Sequence, residues 1–304
     1  MNYNLIVILG PTASGKTNLA VNLALAFGGE IISADSRQVY RKMDIGTGKD
    51  LSEYVVDGKQ VPYHLIDVLE PGEKYNVFEF QRDFIKAYKD IRGRDKLPIL
   101  CGGTGLYIEA ILENYQDTTV PVNPALRGEV EQLTQEELKS RLMNVNPNTR
   151  FDEFHHRKRL IRALEIEVYK SEMRDHQVLD AVSLKPLIIG MDIDREERRK
   201  KISARLDSRL DEGMVEEVQG LLQYCKAEDL IYYGLEYKWL TEYLLGKVDF
   251  DVMKSRLEVG IHQYAKRQMT WFRKMERSGY CIHWLKHNDP MVDKLSQIKE
   301  LMDL

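Results

Sequence analysis

Gly10-Pro11-Thr12-Ala13-Ser14-Gly15-Lys16-Thr17 sets two glycines, a lysine and a hydroxyl at the spacing G-x-x-x-x-G-K-[ST]. It directly follows the apolar run Leu5-Ile6-Val7-Ile8-Leu9 and precedes an apolar helical stretch. The chemistry this pattern supports is phosphate binding. Backbone N–H groups of the loop, together with the first turn of the next helix, form a cradle for an anion. Lys16 carries a point charge to the outer phosphate, and the Thr17 hydroxyl can ligate Mg²⁺. Gly10 and Gly15 allow a close backbone approach that a side chain would block. The plain alternative is a tight glycine turn beside a chance lysine; strand, loop and helix in register argue for phosphate.

A second candidate follows Glu30-Ile31-Ile32-Ser33, where the chain reads Asp35-Ser36-Arg37-Gln38-Val39-Tyr40. Asp35 sits at a strand's C-terminal end, on the phosphate-loop side. Its carboxylate could hold Mg²⁺, cap the next turn, or take a proton from an acceptor. A third lies after Leu97-Pro98-Ile99-Leu100-Cys101, which runs into Gly102-Gly103-Thr104-Gly105-Leu106-Tyr107. A nucleotide hydrolase places a Mg²⁺-holding aspartate there. No acid is present, which weakens the case for ATP hydrolysis and leaves open another use of the phosphate cradle. Two basic stretches, 157–162 and 266–274, interleave cations with apolar or aromatic residues, as nucleic-acid surfaces do. Plain solvation of a charged face, and core packing for Trp271 and Phe272, compete with that reading. His155 and His156 have no partner at metal spacing, so no zinc is assigned.

The elements that position these residues alternate in type. Strands are expected at 5–9, 30–33, 64–68 and 97–101, with helices at 16–26, 78–92 and 106–112 between or after them. That alternation implies a mostly parallel sheet with helices on both faces and a ligand site beyond the strand C-terminal ends. Near Gln116 the character changes. Residues 118–124 read as a linker, Thr134-x-x-Glu137 as a capping box opening a helix to Val145, and 154–170 as a strongly charged helix. Strand pattern returns at 185–191, Asp194 caps a charged helix from Arg195, and 281–285 is a late strand. The expected organisation is a core of 1–116 and 183–304 interrupted by a helical insertion at 117–182.

With 304 residues and a net charge of −4, any nucleic-acid partner must be met by local patches. No run of eighteen apolar residues exists, so no membrane span is expected, and no targeting segment is evident. Cys101, Cys225 and Cys281 are widely separated and read as buried thiols of a cytoplasmic protein.

Taken in order, Gly10 to Thr17, Asp35-Ser36-x-Gln38-Val39-Tyr40, Met43-Asp44-Ile45-Gly46-Thr47, Gly102 to Tyr107, Arg159-Leu-x-Arg162-Ala-Leu-Glu165 and Lys266-Arg267-Gln268-x-Thr270-Trp271-Phe272-Arg273 resemble the tRNA dimethylallyltransferases (tRNA isopentenyltransferases) over nearly the whole chain. The resemblance implies a P-loop NTPase-like α/β core of parallel sheet flanked by helices, with an all-helical insertion. It implies transfer of a dimethylallyl group from dimethylallyl diphosphate to N6 of the adenine just 3′ of the tRNA anticodon, with Mg²⁺. The loop, Gly10, Pro11, Thr12, Ala13, Ser14, Gly15, Lys16 and Thr17, would then hold the diphosphate together with Arg205. Asp35 would be the general base, and Thr104 would hydrogen-bond near the bridging oxygen. Asp35, Ser36, Arg37, Gln38, Thr104, Lys158, Arg159, Arg162, Lys266, Arg267 and Arg273 would meet the tRNA anticodon stem-loop, whose target base must be flipped out. The sequence departs from the family at Lys158, where glutamine is commoner, and at Gly234-Leu235-Glu236-Tyr237, where Gly-Tyr precedes a cation. Competing readings are a P-loop small-molecule kinase, an adenylate dimethylallyltransferase and a nucleotide-driven RNA-binding switch. The basic stretches weigh against the first two, and the third leaves Asp35 and Thr104 without a role. A monomer is expected, since no dimer helix is evident.

Overall fold

The computed structural model describes residues 2–149, 156–172, 179 and 182–303. The apolar run after Asn4 forms β1 (Leu5–Leu9), buried at every residue. An uninterrupted apolar strand is what a sheet covered on both faces requires. The loop then opens α1 (Lys16–Phe27), which closes on left-handed Gly28 and delivers β2 (Gly29–Ser33). A small antiparallel hairpin, β3 (Val55–Val56) and β4 (Lys59–Gln60), precedes the short β5 (Tyr63–His64). Next come α2 (Val77–Gly93), with a capping box at Asn76, β6 (Leu97–Gly102) and α3 (Gly105–Leu112).

The chain divides into two units, Met1–Glu113 with Val182–Leu304, and Asn114–Ala181. In the second unit, α4 (Pro124–Glu129), α5 (Gln135–Val145) and α6 (Arg157–Glu172) enclose their own core of Leu126, Val130, Leu138, Leu142, Leu160 and Leu164. Thr134 and Glu137 form the expected capping box. The first unit resumes with β7 (Pro186–Asp192), α7 (Arg195–Asp211, capped by Asp194), α8 (Met214–Leu221), α9 (Ala227–Tyr233), α10 (Leu235–Leu244), α11 (Phe250–Arg277), β8 (Ile282–Lys286) and α12 (Met291–Asp303). Its sheet runs β5-β2-β6-β1-β7-β8, parallel throughout. This is the α/β, P-loop NTPase-like architecture.

Three expectations need correction. The strand at 64–68 stops at His64, because Leu65 and Asp67 take left-handed φ values of 61° and 56°. Asp67 turns instead to the buried ammonium of Lys49, which also donates to Tyr40 O and Asp44 Oδ1 at 2.6 Å each. The stretch 118–124 is not plain linker: Asp117–Thr119 forms a 3₁₀ turn, and Pro124 opens α4 behind the cap Asn123. Cys281 is exposed, unlike Cys101 and Cys225, since it precedes an edge strand. Phe154 and His155 lie outside the described residues.

Candidate active site

Sheet register decides which loops meet. Leu9 pairs with Gly102 on one side and Gly190 on the other, and Ser33 pairs with Cys101. The loops after β1, β2 and β6 therefore leave the same end of the sheet, and Ala34 N donates to Cys101 O at 2.8 Å while Thr104 N donates to Ala34 O at 3.2 Å. Within the phosphate loop, Ala13 and Gly15 adopt φ of 62° and 80°, the left-handed turn that points successive N–H groups inward. Lys16 Nζ donates to Pro11 O at 2.7 Å. Burial drives the Lys16 pKa down to about 8, helped by Arg205 and opposed by Cys101 and Asp35, so it sits near the boundary between charged and neutral. The Cys101 thiol beneath it is pushed up to about 12 by burial and stays protonated.

Gln268 of α11 holds this loop from above. Its Oε1 accepts from Thr12 N at 2.9 Å and its Nε2 donates to Gly103 O at 2.9 Å. A Cβ at position 103 would lie 2.1 Å from that Nε2, so a larger residue there would displace the Gln268 amide from this position.

Asp35 opens a tight turn. Its Oδ1 accepts from Arg37 N at 2.8 Å and Gln38 N at 3.4 Å, and Oδ2 has no protein partner among the described residues. Thr104 Oγ1 accepts from Ser36 N at 3.2 Å and also meets the Tyr264 hydroxyl, which burial holds well above its ordinary range. Gln38 donates from Nε2 to Gly48 O at 3.1 Å, and Arg37 lies over the Tyr233 ring at 5.6 Å.

Lys16, Asp35, Ser36, Arg37, Gln38, Tyr264 and Gln268 line one cavity of about 480 Å³ with Thr17, Arg205, Arg209 and Glu236, and Thr104 is not among its lining residues. Arg205 lies inside α7 and pairs with Asp50, whose Oδ2 is also 3.6 Å from Arg209. Burial raises the Glu236 carboxyl to about 7, with Arg209 and Arg205 pulling against it. The segment 44–48 closes the wall. Glu217 accepts from the backbone N–H groups of Asp44, Ile45 and Gly46 at 2.7, 2.7 and 3.1 Å, and from the Tyr237 hydroxyl at 2.8 Å.

Of the candidate RNA-contacting residues, Ser36, Arg37, Gln38 and Arg267 line the cavity, whereas Lys266 and Arg273 line a second cleft. Lys158 and Arg159 are exposed on α6 in the other unit. Arg162 is half-buried there and spends its guanidinium on Asp117 O, Val120 O, Pro121 O and Glu165, which is a use within that unit's fold. Phe272 is buried. Sequence reasoning missed Arg209, Glu217, Glu236, Tyr264 and Gln268. Arg209 carried a signal, lying four residues after Arg205 and so on the same helix face, and Gln268 sat inside the 266–273 stretch without being singled out.

Thr17 makes no hydrogen bond through its hydroxyl among the described residues and lines the cavity beside Asp35. Among those residues no group of three or more His, Cys, Asp or Glu is arranged to hold a metal. The unpartnered Thr17 hydroxyl is the kind of ligand Mg²⁺ takes, since that ion binds through one or two protein oxygens and substrate phosphates.

Residues 38–275 match the IPP transferase family and residues 3–63 the isopentenyl transferase family. The chain is 56% identical over 302 residues to tRNA dimethylallyltransferase 2 of Phocaeicola vulgatus, covering 99% of this chain and 98% of that one. It is 55% identical to tRNA dimethylallyltransferase 1 of Parabacteroides distasonis, over 99% of this chain and 98% of the relative. The crystal structure of a full-length tRNA isopentenylpyrophosphate transferase from Bacillus halodurans superposes with a TM-score of 0.71 at 30% identity, over 99% of this chain and 96% of that chain. With the family match spanning most of its length, the chain belongs to the IPP transferases.

Proposed function

We propose that the protein transfers a dimethylallyl group from dimethylallyl diphosphate to N6 of the adenosine immediately 3′ of the anticodon in tRNA, releasing diphosphate. One observation carries this: the Lys16–Thr17 end of the phosphate loop and the open oxygen of Asp35 belong to the same cavity. An anion cradle and a proton acceptor side by side suit displacement of diphosphate by a weakly nucleophilic amine.

In the reaction the C1–O bond to diphosphate breaks as the N6–C1 bond forms. Negative charge gathers on the leaving oxygens, where Lys16, the loop amides and Arg205 stabilise it. Asp35 takes the proton that the amine sheds. Thr104, fixed by Ser36 N and Tyr264, presents its hydroxyl beside the bridging oxygen. Thr17 would hold Mg²⁺ jointly with the diphosphate, and the ion would add charge neutralisation at the leaving group. Ser36, Arg37, Gln38 and Arg267 would receive the flipped nucleotide and its flanking phosphates, with Lys158 and Arg159 meeting the stem-loop from the helical unit. A tRNA substrate supports a cytoplasmic setting. No helix among the described residues is long and apolar enough to cross a membrane.

The deciding assay incubates the protein with Mg²⁺, dimethylallyl diphosphate and an unmodified anticodon stem-loop, with free AMP in parallel. Mass spectrometry should show prenylated RNA. Prenylated AMP without prenylated RNA moves the acceptor to a free nucleotide. Phosphate transfer from ATP to a small metabolite, with no prenylation, selects a kinase.

A further inference from the structure

A second cleft, about 910 Å³, lies between the first turns of α7 and the middle of α11. Arg195 and Arg198 line it from α7, and Lys266 and Arg273 from α11. None of these four cations forms an ion pair among the described residues. Carboxylates of the same wall are engaged elsewhere. Asp194 Oδ1 accepts from the N–H groups of Glu196 and Glu197, and Glu197 reaches Lys201, His287 and Asn288. Asp192 is the remaining acid. Half-buried Arg198 is held below its ordinary range first by burial, then by Arg195 and Arg273 facing it, with only Asp194 opposing. Three guanidinium groups converging with only Asp194 and Asp192 as nearby acids are mutually repulsive, and an anion seated among them relieves this. The helix N-terminus adds little, because Asp194 already occupies its N–H groups.

We propose that Arg195, Arg198 and Arg273 clamp a backbone phosphate of the RNA substrate outside the target nucleotide. This rests on the tRNA reading above. The cleft is nearly twice the size of the reaction cavity at about 480 Å³, more than a single diphosphate needs. It also shares α11 with that cavity, since Arg267 lines one and Lys266 the other, so one bound RNA can occupy both.

The test measures hairpin affinity against salt for wild type, Arg195→Gln/Arg198→Gln and Arg198→Lys, with the exposed Lys299→Gln as control. The double variant should bind about tenfold or more weakly near 0.1 M salt, with a log–log salt slope shallower by about one. Its KM for dimethylallyl diphosphate at saturating RNA should stay within about twofold of wild type. Arg198→Lys should keep most of the slope but lose affinity, since a point charge replaces a fork. Circular dichroism and melting establish that the variants fold. Wild-type affinity and slope in a folded double variant overturn the clamp while leaving the transferase reading intact, provided wild type prenylates the hairpin. A raised KM for the diphosphate with unchanged RNA affinity overturns it in favour of a small-anion site. Wild type that fails to bind the hairpin overturns both.

Discussion

Asp35→Asn isolates proton acceptance from everything else Asp35 does. The amide oxygen still accepts from Arg37 N and Gln38 N, so the turn survives, but the open oxygen no longer takes a proton. Turnover should drop by about 10²–10⁴ while hairpin affinity stays near wild type, read by single-turnover kinetics beside equilibrium binding. An equal loss in both would make Asp35 a turn residue. Lys16 gives a pH signature. Its ammonium is driven down to about 8, so it is charged below that pH and neutral above. The kcat/KM for dimethylallyl diphosphate should therefore decline by about tenfold per pH unit above the Lys16 pKa, a profile that Lys16→Arg flattens because a guanidinium does not titrate there. A profile flat through pH 10 in the wild type would show that the charge on Lys16 does not limit capture of the diphosphate.

At the scale of elements, Glu217 is the strut of the 44–48 wall, serving three backbone donors and a phenol from α8. Glu217→Ala should cost about 2–3 kcal/mol in denaturant unfolding, as charged hydrogen bonds are lost from a part-buried site. Glu217→Gln should recover part of this, since it keeps acceptor oxygen. Elements whose signal is local were readable from the chain: β1 through its unbroken apolar run, α5 through its capping box, α7 through Asp194. Lys16 and Thr104 were readable too, because each follows a glycine in a loop beyond a strand, and Asp35 because it lies just past the end of β2. What was not readable depends on distant partners. The strand expected at 64–68 yields to a buried lysine eighteen residues away in sequence, at position 49. Glu236, Gln268 and Tyr264 reach the cavity only because α10 and α11 pack over it, and the stretches around Glu236 and Gln268, although quoted for their resemblance, do not say which side chain points there.

For the whole molecule, the helical unit has a separate hydrophobic cluster, so damage to it should be separable from diphosphate chemistry. Leu160→Ala should destabilise that unit by about 2–5 kcal/mol through the cavity it leaves. Binding of dimethylallyl diphosphate, followed by calorimetry, should be retained, whereas RNA prenylation should fall. Loss of both would mean that the units fold as one cooperative block.

Gln268 bears on how portable this phosphate loop is. Residues 10–17 do not settle their own shape: one amide of the octet is already spent on a glutamine more than two hundred and fifty positions downstream. Transplanted alone onto another α/β scaffold, the octet would arrive without its bracket. A graft meant to capture allylic diphosphates must bring the overlying helix and the glycine that lets it sit down.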